Sequence, residues 1–167
     1  MAGDNVKVKF ESKLLNQLLR NMKKHGYVKV GILNSSKNAR SDSELNNASI
    51  GAVHEFGLKN SSGKEAIPER SFLRMPLQDD FDAALEAKSD PKQLAEDLVK
   101  NPKGLFEKIG NVALGVITEA FDRGGSSKTK WKSLNPEYAK TKKVNQILVE
   151  TQQLRESITY EVEGSFE

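Results

Sequence analysis

The strongest constraint on the fold lies at 102–121. Here Leu105, Ile109, Val112, Ala113, Val116 and Ile117 recur in steps of three and four and lay one apolar stripe along a helix. Asn101-Pro102 supplies a capping side chain followed by proline at the first helical position, and Gly124-Gly125 ends the run. Such a stripe has to be covered by another layer. Asp90-Pro91 and Asn135-Pro136 repeat the start signal and predict two more helix starts.

The covering layer reads from both ends of the chain. Val6, Val8 and Phe10 alternate with Lys7 and Lys9, the period of a half-buried strand. Leu14, Leu15, Leu18, Leu19 and Met22 then form a wide helical stripe, with Ser12 as N-cap and Gly26 as stop after Lys23, Lys24 and His25. Residues 27–33 read as a second strand, more uniformly apolar and so nearer the sheet centre. Residues 49–56 are helical in pattern, with Ile50, Val53 and Phe56 on one side and Gly57 as the end. A short helix at 151–156 leads into a last strand, where Ile158, Tyr160 and Val162 alternate with Thr159 and Glu161. The expected fold is α+β in a single domain over 1–167: a small mixed or antiparallel sheet drawn from both chain ends, covered by two or three helices. Long mobile loops are expected near 34–47, 57–66 and 122–135.

Composition narrows the function classes only modestly. Lys plus Arg number 26 against 23 Asp plus Glu, so the charge of +3 is a weak indication of nucleic acid. With no cysteine there is neither a disulfide framework nor a thiolate metal site. No apolar run approaches the ~20 residues of a membrane span, and the N-terminus lacks the apolar core of a signal peptide. The expectation is a soluble, unexported chain with no membrane partner.

Catalytic patterns do not assemble from these residues. His54-Glu55 would need a second histidine one turn later to hold zinc, and that position is Leu58. A nucleophile-histidine-acid triad would depend on His25 or His54, which sit in unrelated elements. Asp79-Asp80 reads as a solvated helix face. Gly124-Gly125 follows a helix instead of leading from a strand into one, and Lys128 alone does not make a phosphate loop. No enzyme activity, metal or cofactor is expected.

Two segments leave a choice open. In 67–74, Arg70 and Arg74 flank Phe72-Leu73 just after a polar loop; this suits an interface core, and equally a loop tethered to its own body by Phe72 and Leu73. Trp131 stands among Lys128, Lys130 and Lys132, where it either stacks on a nucleic-acid strand or pins a long loop through its apolar area. Lys140, Lys142 and Lys143 either face phosphates or form a solvated helix side.

The order of short blocks adds a resemblance. GAVHEFG at 51–57 followed by IPERSFLR at 67–74 resembles the HEFG plus IPxRxFLR signature of the small tail-completion and neck proteins of tailed bacteriophages. FDRGG at 121–125, Trp131 with Leu134, Lys142 or Lys143, Ile147-Leu148, and Thr151 leading to Leu154 and Ile158 are similar to the pattern of the phage virion morphogenesis family. The blocks span most of 51–162. One departure is Gln152, where that family commonly has glycine; glutamine is a good first-turn helix residue, so the cap is expected to differ there.

The resemblance implies a non-enzymatic structural virion protein that forms a ring of identical copies, commonly six, around the DNA channel. It would join head and tail, or finish the tail end, against head-tail connector, tail terminator or tail tube proteins, after assembly in the host cytoplasm. His54, Glu55, Phe56, Arg70, Phe72, Leu73, Arg74 and Trp131 would then lie at the ring interface, with Phe72, Leu73 and Trp131 as apolar anchors and Arg70 and Arg74 paired with acids next door. Lys128, Lys130, Lys132, Lys140, Lys142 and Lys143 would make weak, salt-sensitive contact with passing DNA. The rival reading is a DNA-binding accessory protein of phage assembly that uses the basic segment 128–143.

Overall fold

The computed structural model describes residues 26–33, 39–40, 44–141 and 152–166. The expected strand at 6–10, the helix at 12–25, Lys142, Lys143, Ile147, Leu148, Thr151 and most of the loop at 34–47 lie outside the described residues. The elements are β1 (Tyr27–Gly31), α1 (Asn47–Phe56), β2 (Leu58–Lys59), β3 (Glu65–Ile67), α2 (Arg74–Lys88), α3 (Pro91–Lys100), α4 (Pro102–Arg123), α5 (Pro136–Thr141), α6 (Gln153–Glu156) and β4 (Thr159–Glu163). The fold is α+β.

Each Asx-Pro pair starts a helix. Asp90 accepts hydrogen bonds from Lys92 N at 2.7 Å and Gln93 N at 3.2 Å, Asn101 from Gly104 N at 3.0 Å, and Asn135 from Glu137 N at 2.9 Å, so each satisfies amides that a first turn leaves unpaired. The long stripe is the inner face of α4, which buries Leu105, Val112, Ala113, Val116, Ile117, Ala120 and Phe121. Gly124 ends it in the left-handed conformation at φ 67 and ψ 45.

β1 and β4 pair antiparallel, with Val28 opposite Val162 and Val30 opposite Tyr160. Both strands contact α4, which also packs against α2 and α3. Gly110 of α4 lies beneath the Tyr160 ring, where any Cβ would clash, so this glycine sets how closely helix and sheet approach. The core gathers Phe72, Ile117, Ala120, Phe121, Trp131, Leu154 and Ile158. Phe121 meets Phe72 at 5.4 Å between ring centres and Trp131 at 5.6 Å, the latter edge-on.

Two of the spans expected as long mobile loops carry internal hydrogen bonds. Residues 57–66 contain the β2–β3 hairpin, whose turn is organised by Asn60 Oδ1 accepting from Ser62 N, Ser62 Oγ and Lys64 N. In 122–135, Gly125 N donates to Ala120 O, Ser126 N to Thr129 O and Trp131 N to Gly124 O, each at 2.8 to 2.9 Å. Gly125 has φ 137, and a Cβ there would strike Thr129 O. The glycine pair is therefore a tight reversal that swings Trp131 back into the core.

The cap of α6 also differs from expectation. Gln152 is not a first-turn helical residue; it sits at the N-cap position with φ 58 and ψ −9 and makes no side-chain cap. It is the only non-glycine with positive φ among the described residues. A glycine adopts that geometry without steric cost.

Candidate functional site

The conspicuous local construction begins in α1. Asn46 Oδ1 caps its first turn by accepting from Ser49 N at 2.8 Å. Gly51 lets the helix settle against Ile32, Phe72 and Leu154. One turn on, Glu55 shares the inward face with Gly51 and is 5% exposed.

A carboxylate in that position needs donors, and the segment that leads into α2 supplies them. Glu55 accepts from Ser71 Oγ at 2.6 Å, Phe72 N at 2.9 Å, Leu73 N at 3.0 Å and Arg74 N at 3.0 Å. Leu73, the N-cap residue of α2, offers no side-chain cap of its own. The start of α2 is thus capped by an acid borrowed from α1, and the negative charge meets the positive end of the helix dipole. Ser71 Oγ extends the cap by accepting from Met75 N at 3.0 Å, and His54 O accepts from Arg70 N at 2.8 Å. In this way segments 51–57 and 67–74 become one rigid corner.

Because Glu55 takes the inward direction, Phe56, about 100° further round the helix, points out. It is 70% exposed, which corrects its expected place beside Ile50 and Val53 on the packed side. Leu58, 48% exposed, stands close after it in sequence.

Of the expected interface residues, Phe56 and Arg74 are exposed, His54 and Leu73 are half-buried, and Glu55, Arg70, Phe72 and Trp131 are buried. Phe72 and Trp131 are therefore core residues of their own chain and not anchors for a neighbour. Trp131 Nε1 donates to Ser71 O at 3.0 Å, which ties the returning loop to the corner. The Arg70 guanidinium donates to Lys132 O at 3.0 Å and to Ser133 O at 3.4 Å, so its buried charge holds a backbone of its own chain. Arg74 pairs with Glu69 at 2.7 Å, also within the chain.

The lysines diverge as well. Lys130 Nζ donates to Arg123 O at 3.1 Å, Lys128 Nζ lies 3.9 Å from the Asp79 carboxylate, and Lys132 pairs with Glu65. Lys140 is exposed on α5.

Asp79 and Asp80 are not a solvated face: each side chain is only 10% exposed. Asp79 accepts from Ser126 Oγ, while Asp80 binds Arg123 at 2.8 Å and Ser127 N at 3.1 Å. Burial pushes the Asp80 carboxyl up, but the Ser127 hydrogen bonds together with the charge and hydrogen bond of Arg123 outweigh it and hold the carboxyl below its ordinary range. This acidic pair clamps the 126–127 turn against α2.

Two clefts open beside the corner. One of about 930 Å³ lies between β3 and the segment 132–136, with Ile67, Pro68, Arg70 and Leu134 among its walls. The other, about 390 Å³, runs between α1 and α2 and is walled by Ile32, Ala48, Ala52, Leu73 and Leu77, with Phe56 at its border. Among the described residues no cluster of His, Asp and Glu converges as metal ligands would, and no helix is long and apolar enough to cross a membrane. Comparison with known families, curated proteins and solved structures finds no match to this chain.

Proposed function

We propose that the chain is a structural virion protein of a tailed bacteriophage, of the tail-completion or neck kind, acting as a non-enzymatic ring of identical copies at the head-tail junction or tail end. The reading is supported by one observation above others. The blocks 51–57 and 67–74, which carry part of the resemblance, fold into a single corner through Glu55, and this corner holds Phe56 out in water at 70% exposure. A large apolar side chain presented on a rigid support is the kind of group that anchors a subunit contact. A ring needs a heterologous contact, in which one face of a copy meets a different face of the next. Phe56 is the anchor we assign to one of those faces. The neighbouring rings would be head-tail connector, tail terminator or tail tube proteins, and DNA contact would be weak and salt-sensitive.

The rival reading, a DNA-binding accessory protein, asks Trp131 to stack on bases. That residue is 8% exposed and its ring is packed edge-on against Phe121, which counts against that use.

Electron microscopy of particles assembled without the protein tests the proposal. Separate filled heads and finished tails place it at the joint, and overlong or absent tails place it at tail completion. Complete infectious particles would overturn it.

A further inference from the structure

The cleft beside β3 is a slot between two stretches of backbone, the consecutive runs 65–68 and 132–136. Ile67 and Asn135 each precede a proline, which disfavours helical backbone, and residues 132–135 accordingly form no helix or turn. Walls of four and five residues, at about 3.3 Å for each extended residue, make a slot about 13–17 Å long. Both walls present backbone to it. Across the hairpin Lys59 stands opposite Glu65 and Leu58 opposite Ile67, so Ala66 is the extra residue of a bulge and has no ladder partner. On the far wall the amides of Lys132, Ser133 and Leu134 donate to no group among the described residues. That wall is nonetheless held in place, because the buried Arg70 donates to Lys132 O and Ser133 O. The slot is thus braced through its carbonyls while its amides stay open to an acceptor.

We propose that this slot binds an extended, acidic peptide segment of another protein, which lies along β3 as an added strand and offers its carbonyls to the 132–134 amides. Strand addition is the mode that open backbone supports, with main-chain hydrogen bonds for affinity and pockets for alternate side chains. Ile67, Pro68 and Leu134 supply the apolar contacts for those side chains. Charge selects the rest. Arg70 and Lys132 line the slot against one carboxylate, Glu65, so an acidic segment is attracted and a basic one repelled. Lys132 pairs with Glu65 across the slot, but both side chains are exposed, so the pair is weak and an incoming carboxylate can take the place of Glu65. Among the described residues the strand with alternating acids, β4, is already paired with β1, so the occupant comes from another protein. The proposal stands on these two walls and does not depend on the virion reading.

Titration of the isotope-labelled full chain with a short blocked peptide of alternating valine and glutamate, followed by NMR, is the test. The expected result is saturable binding with a Kd below about 1 mM and the largest shifts at the amides of Ala66, Lys132, Ser133 and Leu134. A peptide with lysine in place of glutamate, and one with proline in place of valine, should each bind about tenfold more weakly or worse. Glu65→Gln removes the competing carboxylate and should tighten binding of the acidic peptide about threefold; looser binding would overturn the charge assignment. Ser133→Pro deletes one amide and keeps the carbonyl that Arg70 holds, and should weaken binding about tenfold. Equal affinity for the proline peptide, or unchanged affinity in a Ser133→Pro variant with the parent's circular dichroism, would overturn strand addition. Absence of binding at about 1 mM peptide, or shifts confined to other residues, would overturn the slot itself. Shifts at the same amides that grow with protein concentration alone would give the slot to a second copy and overturn its assignment to another protein.

Discussion

Replacing Glu55 by alanine removes the acceptor for three backbone amides and the Ser71 hydroxyl at once. The Phe72 amide lies in a residue with no exposed surface, so its loss is a dry unsatisfied donor, about 2 kcal/mol. The amides of Leu73 and Arg74 lie nearer solvent, where water replaces part of the bond, and together contribute about 1 kcal/mol. Loss of a negative charge at the positive end of α2 adds about 0.5 kcal/mol. Relief from burying the carboxylate takes back a fraction of this total. The net expectation is a destabilisation of about 3 kcal/mol, out of roughly 5–15 for a domain. For a chain of this size, that corresponds to a midpoint lower by about 10 °C. Urea unfolding, followed by circular dichroism and by Trp131 emission, measures it. Trp131 is the sole tryptophan and donates to Ser71 O, so its emission reports the corner while dichroism reports the helices. Glu55→Gln, which keeps one acceptor oxygen and turns an amide toward the donors, should lose about 2 kcal/mol. A Glu55→Ala variant within about 1 kcal/mol of the parent would refute the capping account.

Gln152→Gly should stabilise the chain by about 0.5–1 kcal/mol, because relief of the left-handed strain exceeds the added freedom of the unfolded chain; a lower thermal midpoint would contradict this. The Asp80 carboxyl sits below its usual range, so its contribution to stability is complete above the unfolded value near about pH 4 and is lost as pH falls through the folded value. Asp80→Asn should therefore be weaker than the parent at pH 7, with the gap in denaturation midpoint closing as pH falls below the ordinary carboxylate range. Trp131→Phe keeps most of the ring packing but orphans Ser71 O, at about 1–2 kcal/mol in urea unfolding. Phe56→Lys should leave the unfolding midpoint within about 0.5 kcal/mol, yet abolish incorporation into particles; normal incorporation would remove Phe56 from the subunit contact.

Much of the frame was legible because its signals are local. Asn101-Pro102 and Gly124 bracket α4 within a residue or two, and the alternation around Tyr160 and Val162 marks β4 without reference to any partner. The corner was not legible, for the opposite reason. α2 carries no start signal of its own: its cap is Glu55, nineteen positions before Arg74. Beside an apolar neighbour, Glu55 reads as the residue facing water, and only the approach of four donors makes its burial favourable. Asp79 and Asp80 follow the same logic, since Ser126, Ser127 and Arg123 reach them from the far end of α4. Trp131 was legible as a pin in one of its two readings; the reversal at Gly124 and Gly125 that aims it inward depends on backbone angles that residue spacing does not encode.

The pairing of β1 with β4 carries a cost in time. Tyr27 and Glu163, which meet across that ladder, are 136 positions apart. At translation rates of roughly 5–20 residues per second, β1 waits on the order of ten seconds for its partner strand to be synthesised. Throughout that interval its backbone edge is open to pairing with other nascent chains. Lys29, in the middle of the strand, is the one charge within it that opposes such mispairing. Replacing it with an apolar residue should therefore lower the yield of soluble protein during synthesis far more than it lowers the stability of molecules that have already folded.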